Sequence, residues 1–72
     1  MTFDLARLVF GDLARIERLD DREDYAEERW VTTGLIEQRE IVVIFTVRGR
    51  AIRLISARKA EINEREEYWE GR

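Results

Sequence analysis

The sequence contains no cysteine, no histidine and no proline in 72 residues, and only one methionine and four glycines. Without cysteine there is no disulfide framework and no thiolate metal site. Without histidine there is no imidazole to serve as an acid–base near neutral pH. No apolar run approaches the roughly 20 residues needed to span a bilayer, and Met1-Thr2-Phe3-Asp4 lacks the basic start of a secretory signal. These absences lead to the expectation of a soluble, cytoplasmic chain that does not engage a membrane. At this length it is one domain over residues 1–72. A core that small, with no covalent or metal staple, often leans on another subunit or a bound protein, so a homo-oligomer or hetero-oligomer is expected.

What the chain has in abundance is charge, 40% of all residues, with a net value of −3. The total hides a segregation of sign. Residues 1–38 carry five arginines against ten acids, residues 39–59 carry six basic groups against Glu40 alone, and residues 60–72 carry two arginines against five glutamates. The middle segment is therefore a basic island with acidic flanks. Local field rather than net charge steers anions, so such an island can bind phosphate even in an acidic protein.

Read in order, Thr2 to Phe10 has the spacing of a short amphipathic helix, capped by Thr2 and ended by Gly11-Asp12. Leu13 to Leu19 alternates as a charged edge strand. Residues 20–28 hold six acids in nine positions. We read this run as a solvated loop, since a calcium loop requires a central glycine that is missing. Arg29 to Leu35 is a strand with one tryptophan, followed by a loop over 36–39. Ile41 to Val47 is apolar on both faces and so predicts a central strand. Arg48-Gly49-Arg50 forms a hairpin turn, with Gly49 at positive φ, and Ala51 to Ala57 returns antiparallel. Glu61 to Glu70 predicts a helix with a thin stripe of Ile62, Arg65 or Glu66, and Trp69, with Tyr68 on its flank. The fold class is α+β: an antiparallel meander of three to four strands between a short N-terminal and a C-terminal helix.

The chemistry concentrates in residues 51–59. Simple alternation puts Arg53 and Ile55 on one face and Ile52, Leu54, Ser56 and Arg58 on the other, unless a bulge intervenes. Guanidinium forks suit phosphate oxygens, so Arg48, Arg50, Arg53, Arg58 and Lys59 are candidates for a phosphate-binding surface, with Tyr68 and Trp69 near enough to stack on bases. Against this stands the blander outcome, in which the arginines simply pair with neighbouring carboxylates, because charge runs are usually solvated surface.

The segments Glu27-Glu28-Arg29-Trp30, Ile41-Val42-Val43 with Phe45-Thr46, Ile52 through Ala60, and Glu64-Arg65-Glu66 with Tyr68 together resemble the BrnT toxins of bacterial type II toxin–antitoxin systems. Phe3, Ala6, Val9 and Phe10 followed by Asp12 are similar to that family's second helix and its exit. The resemblance implies a RelE-like ribonuclease fold that cuts RNA with no metal or other cofactor. It also implies neutralisation by a BrnA-type ribbon–helix–helix antitoxin, the complex reaching operator DNA through the antitoxin. Ser56, Arg58, Glu64 and Arg65 match the family's recurrent polar positions, Arg53 and Tyr68 match less strictly, and Arg29 is weaker. Family members begin with a further strand and helix bearing a Lys-His-Gly turn, and the resemblance leads to the expectation of an N-terminally shortened domain that starts just after that turn; Glu61 stands where a capping Ser or Thr is usual.

The resemblance implies attack of the RNA 2′-hydroxyl on the adjacent phosphate, which requires a base, an acid and stabilisation of the phosphorane. Arg58 and Arg65 are expected to stabilise charge, with Glu64 a possible base whose commoner role is an ion-pair partner. Arg48, Arg50, Arg53, Ser56, Lys59 and Tyr68 are expected to bind RNA. The alternative expectation is a non-catalytic homologue that serves as an antitoxin-binding or dimerisation module, and a third is a small structural domain whose basic strand is merely salt-bridged.

Overall fold

The computed structural model describes residues 2–20 and 28–70; the acidic run predicted as a loop lies mostly outside the described residues. Four strands, β1 (Ile16–Asp20), β2 (Glu28–Ile36), β3 (Arg39–Arg48) and β4 (Ala51–Lys59), form one sheet in the order β1-β2-β3-β4. All neighbours are antiparallel. Helix α1 (Phe3–Ala6) runs into a 3-10 segment, Arg7–Gly11, and α2 (Ile62–Glu70) closes the chain. The α+β meander is as expected from the alternation of the sequence.

The N-terminal helix is tighter than expected. Thr2 does cap it, its Oγ1 accepting a hydrogen bond from the Leu5 amide at 3.2 Å. After Ala6, however, the chain winds at three residues per turn, and the Asp12 amide donates to the Val9 carbonyl. That period places residues i and i+3 one above the other, which drives both Ala6 and Val9, each fully buried, onto the sheet. Strand β1 starts at Ile16 rather than Leu13, because the Asp12 carboxylate accepts from the Ala14 amide at 2.9 Å and ties Leu13-Ala14 into a turn. The expected loop over 36–39 is a two-residue turn, Glu37-Gln38, with both residues at positive φ. Neither is the Asn or Gly that normally marks such a turn, which is why the sequence did not signal it.

The pairing registers assign every strand residue to a face. One face carries Leu19, Trp30, Phe45 and Leu54 in one row and Glu17, Thr32, Val43 and Ala57 in the next. The N-terminal segment covers this face: Ala6 and Val9 join Ile36, Ile41, Val43 and Phe45 in the core, and Phe10 meets Phe45 edge to face at 5.3 Å. Gly34 permits that approach, since a Cβ there would lie 3.0 Å from Val9 Cγ1 and 3.3 Å from its carbonyl oxygen. The opposite face carries α2, which packs on β2, and Val31 and Val42 on that face are both buried. Ile41, Val42 and Val43 are all essentially inaccessible, which confirms β3 as a strand covered on both sides.

Helix α2 turns a different side to the sheet than the sequence stripe implied. Tyr68 is fully buried, while Trp69 and Ile62 are 48% and 64% exposed. The deciding partner is far away in sequence: the Tyr68 hydroxyl donates to Asp12 Oδ2 at 2.5 Å. The same oxygen accepts from the Leu35 amide at 2.9 Å. Asp12 thus ties the end of the 3-10 segment, the end of β2 and the last helix together.

Candidate functional site

Strand β4 contains an irregularity that changes where its arginines point. Between Ile44/Phe45 on β3 the register shifts, so that Ser56 pairs with Ile44 while Leu54 pairs with Phe45, leaving Ile55 as the extra residue of a bulge. A regular strand would have sent Arg53 to the face away from Ser56 and Arg58. With the bulge, Arg53 pairs with Thr46, Ser56 with Ile44 and Arg58 with Val42, and all three share the α2 side. Arg48 follows the same parity one step nearer the hairpin. Ile52, Leu54, Ala57 and Lys59 go to the other face.

Followed across the sheet, this face shows three rows: Asp20, Arg29, Thr46 and Arg53; then Arg18, Val31, Ile44 and Ser56; then Ile16, Thr33, Val42 and Arg58. The last row lies nearest α2, where Ile16, Arg18, Val31, Thr33, Asn63, Glu64 and Glu67 line a small hollow. Asp20 and Thr46 are buried within the first row, whereas Arg53 is exposed. Rows lie about 6.7 Å apart along a strand, so Arg53 and Arg58 stand roughly 13 Å apart at the backbone. Long side chains from the two ends can reach neighbouring phosphates of one strand. Sequence reading missed Arg18, although the alternation of β1 with Ile16 would have found it once the face was known. Asp12 is visible in the sequence as the exit of the first helix, but its bonds to the Leu35 amide and the Tyr68 hydroxyl have no local signal.

Arg58 is the most constrained of these groups. Its Nη1 donates to Glu64 Oε1 at 2.7 Å and its Nη2 to Glu64 Oε2 at 2.8 Å, a two-pronged ion pair between strand end and helix. Nη1 also donates to the carbonyl of Lys59 at 3.2 Å. Glu64 Oε1 accepts from the Glu61 amide at 2.7 Å, which is the backbone half of a capping box and anchors the start of α2. Hydrogen bonding to Arg58, foremost, lowers the Glu64 pKa from its ordinary value, and the same bond raises that of Arg58. Glu64 is held as a carboxylate and is correspondingly weak as a base.

The residues singled out in the sequence therefore separate. Arg58 and Glu64 form one unit, with Ser56 and Arg53 on the same face. Arg65 points elsewhere: a helix turns about 100° per residue, and Arg65 lines a different cleft with Gln38, Arg39, Glu40, Lys59 and Ala60. Arg48 and Arg50 are exposed at the β3–β4 hairpin, where Gly49 has the expected positive φ of 60°. Tyr68 offers no ring face to solvent, so the expected stacking on a base is not available to it; the exposed ring of α2 is Trp69. Among the described residues, no group of three or more acidic side chains is arranged to hold a metal ion. Nor is any described helix long and apolar enough to cross a membrane.

Residues 1–64 match the family model described as ribonuclease toxin, BrnT, of type II toxin–antitoxin system. The chain belongs to this family. No curated protein matches the chain. The BrnT match spans the sheet and ends at Glu64, so it includes Arg53, Ser56, Arg58 and the pair that Arg58 makes, and stops short of Arg65, Tyr68 and Trp69. As a member of a type II toxin family, the chain has an RNA target and an antitoxin partner.

Proposed function

We propose that this BrnT-family chain cleaves single-stranded RNA on the α2 side of its sheet, without a metal ion, and thereby inhibits translation. The supporting observation is the bulge at Ile55, which gathers Arg53, Ser56 and Arg58 onto the face that already carries Arg18 and Arg29. Five polar groups from three strands then meet one stretch of phosphodiester backbone. In the reaction the 2′-oxygen bonds to phosphorus and the bond from phosphorus to the 5′-oxygen breaks, leaving a 2′,3′-cyclic phosphate and a 5′-hydroxyl. The 2′-hydroxyl loses its proton and the departing 5′-oxygen gains one.

Arg58 is placed to hold the charge that builds on the phosphorane, because Glu64 holds its planar guanidinium in one direction and its remaining N–H donors can meet that charge. Glu64 fixes the direction of the Arg58 fork and is a positioning residue rather than the base, its basicity lowered by that contact. With histidine absent, the proton of the 2′-hydroxyl passes to solvent. The cleavage rate then rises with pH through neutrality instead of levelling off in the carboxylate range. Arg53, Ser56, Arg48 and Arg50 bind the backbone on the hairpin side.

A cleavage assay on a single-stranded RNA with wild type, R58A and R58K tests the reading. R58A is expected to lose about a hundredfold in rate or more, the size seen when one donor to a developing oxyanion is removed, with R58K recovering part of it. Equal rates for wild type and R58A would sink it.

A BrnA-type ribbon–helix–helix antitoxin is the proposed partner, with operator DNA reached through the complex. The apolar face suits such a protein partner, since Leu19 and Ile52 are 47% and 64% exposed beside half-buried Trp30 and Leu54. That observation also supports the second reading, a non-catalytic antitoxin-binding or dimerisation module. Tight antitoxin binding with no cleavage by the wild type would favour it.

A further inference from the structure

Beside the Arg58–Glu64 pair, about 100° round α2 from Glu64, an open cleft of ≈ 410 Å³ lies at the turn end of the sheet, lined by Gln38, Arg39, Glu40, Lys59, Ala60 and Arg65. The backbone sets it up: the Ala60 amide donates to the Glu40 carbonyl at 3.0 Å, extending the β3–β4 ladder past Lys59. The Arg65 amide donates to the Glu61 carbonyl at 2.9 Å, which fixes Arg65 in the first turn of α2. Arg39, Lys59 and Arg65 are all exposed, and among the described residues none makes a side-chain hydrogen bond or ion pair. Arg58, by contrast, has both terminal nitrogens bonded to Glu64. Three cations against Glu40 leave this cleft with a net positive charge.

A second open cleft of ≈ 360 Å³ adjoins the first, sharing Glu40 and Arg65 and adding Ile62, Glu66 and Trp69. Trp69 is half exposed and meets Tyr68 edge to face at 5.0 Å, so the buried tyrosine braces its ring. Ile62, 64% exposed, adds apolar surface beside it. A cationic hollow next to a braced indole, joined through one arginine, suits a nucleotide: phosphate in one part, base against the other.

We propose that these two clefts form a nucleotide-binding subsite for single-stranded RNA, with phosphate held by Arg39, Lys59 and Arg65 and a base stacked on Trp69. It rests on the reading of the chain as an RNA-cleaving protein, and adds to that reading a second contact region beside α2, most of it inside the stretch that matches the family, with Arg65 and Trp69 just past its end. Arg65 here binds the backbone instead of sharing a reaction centre with Arg58. Glu40 disfavours a ligand carrying more phosphates than one or two at this point, so an internal phosphodiester is the preferred occupant over a triphosphate.

The test uses indole fluorescence in the W30F background, where Trp69 is the sole tryptophan, with a short oligodeoxyribonucleotide that lacks the 2′-hydroxyl and cannot be cleaved. Should W30F fail to fold, the difference between wild type and W69F supplies the same signal. Saturable quenching is expected, with the dissociation constant raised roughly five- to tenfold in R39A and again in R65A, in line with the loss of a phosphate contact from a charged groove. The quenching persists in R58A. Absence of quenching while R58A still abolishes cleavage overturns the subsite and leaves the proposed reaction standing. Quenching that persists while R58A cleaves normally supports the subsite and removes the reaction. Inorganic phosphate is the control: equal quenching by phosphate and oligonucleotide at matched concentration would reduce the cleft to an anion site and overturn the stacking assignment.

Discussion

The two faces of this sheet are built to opposite rules from the same four strands. On the N-terminal side, Ala6, Val9, Ile36, Ile41, Val43 and Phe45 close into an apolar core, with Gly34 giving up its side chain so that Val9 can come within contact. On the α2 side, Val31, Val42 and Tyr68 are the buried hydrophobic residues, Ile16 and Ile44 are half-buried, and between them stand arginines and Ser56, with Thr33, Thr46 and Asp20 buried among them. Burial of apolar area stabilises a fold in proportion to that area, whereas exposed ion pairs contribute little. The difference teaches that stability resides on one face and that the other is left for charge to act.

The comparison is broken most sharply by one substitution on each side. Ile41→Ala empties a fully buried position and is expected to cost about 2–5 kcal/mol, read as a lowered denaturant midpoint. Arg53→Ala on the other face is expected to stay within roughly 0.5 kcal/mol of wild type while its RNA cleavage falls. A destabilised R53A, or an I41A as stable as wild type, would dissolve the division.

Next in size is the joint between the faces. Asp12→Ala removes the acceptor for the Tyr68 hydroxyl and for the Leu35 and Ala14 amides, leaving buried polar groups without it. Thermal unfolding should show a loss of about 2–4 kcal/mol, larger than the roughly 1–2 kcal/mol expected for Tyr68→Phe, which takes away a single bond. An order reversed between the two would mean that the helix, and not the carboxylate, is the organising element.

Smaller still is the Arg58–Glu64 pair. Because Arg58 lowers the folded-state pKa of Glu64, the pair's contribution is complete above the ordinary carboxylate range and fades as pH falls through the lowered value. Wild type should therefore exceed Glu64→Gln in stability at neutral pH, by less than about 1 kcal/mol given the exposure of Arg58, and the gap should close only in acid. A gap that instead widened in acid would contradict the assignment of Glu64 as a carboxylate. The smallest effect is at the Glu37-Gln38 turn. Replacing Glu37, at φ 50°, by Gly should add roughly 0.5–1 kcal/mol without changing cleavage.

Much of this architecture was legible because it rests on local pattern. The run Ile41 to Val47 announced a strand covered on both sides, and Gly49 announced its hairpin. Thr2 announced its cap. What was not legible depends on residues that meet only in the folded chain. No alternation rule places a bulge at Ile55, because the register shift is decided by pairing with β3, and without that bulge Arg53 falls on the face away from Ser56 and Arg58. Tyr68 and Trp69 are neighbours of similar size, and the choice of which to bury is made by Asp12, 56 positions away. For the candidate site, the basic island was visible as composition, but its division into the Arg58–Glu64 pair and the cleft of Arg65 follows from the rotation of α2 about its axis.

The central claim is that the arginine face, and not the apolar one, meets RNA. It is tested most directly by mapping NMR shifts of the isotopically labelled protein on titration with an uncleavable 2′-deoxy oligonucleotide. Shifts are expected at Arg18, Arg29, Arg53, Ser56 and Arg58, with Leu19, Trp30 and Leu54 unmoved. Shifts confined to Leu19, Trp30 and Leu54 would contradict it.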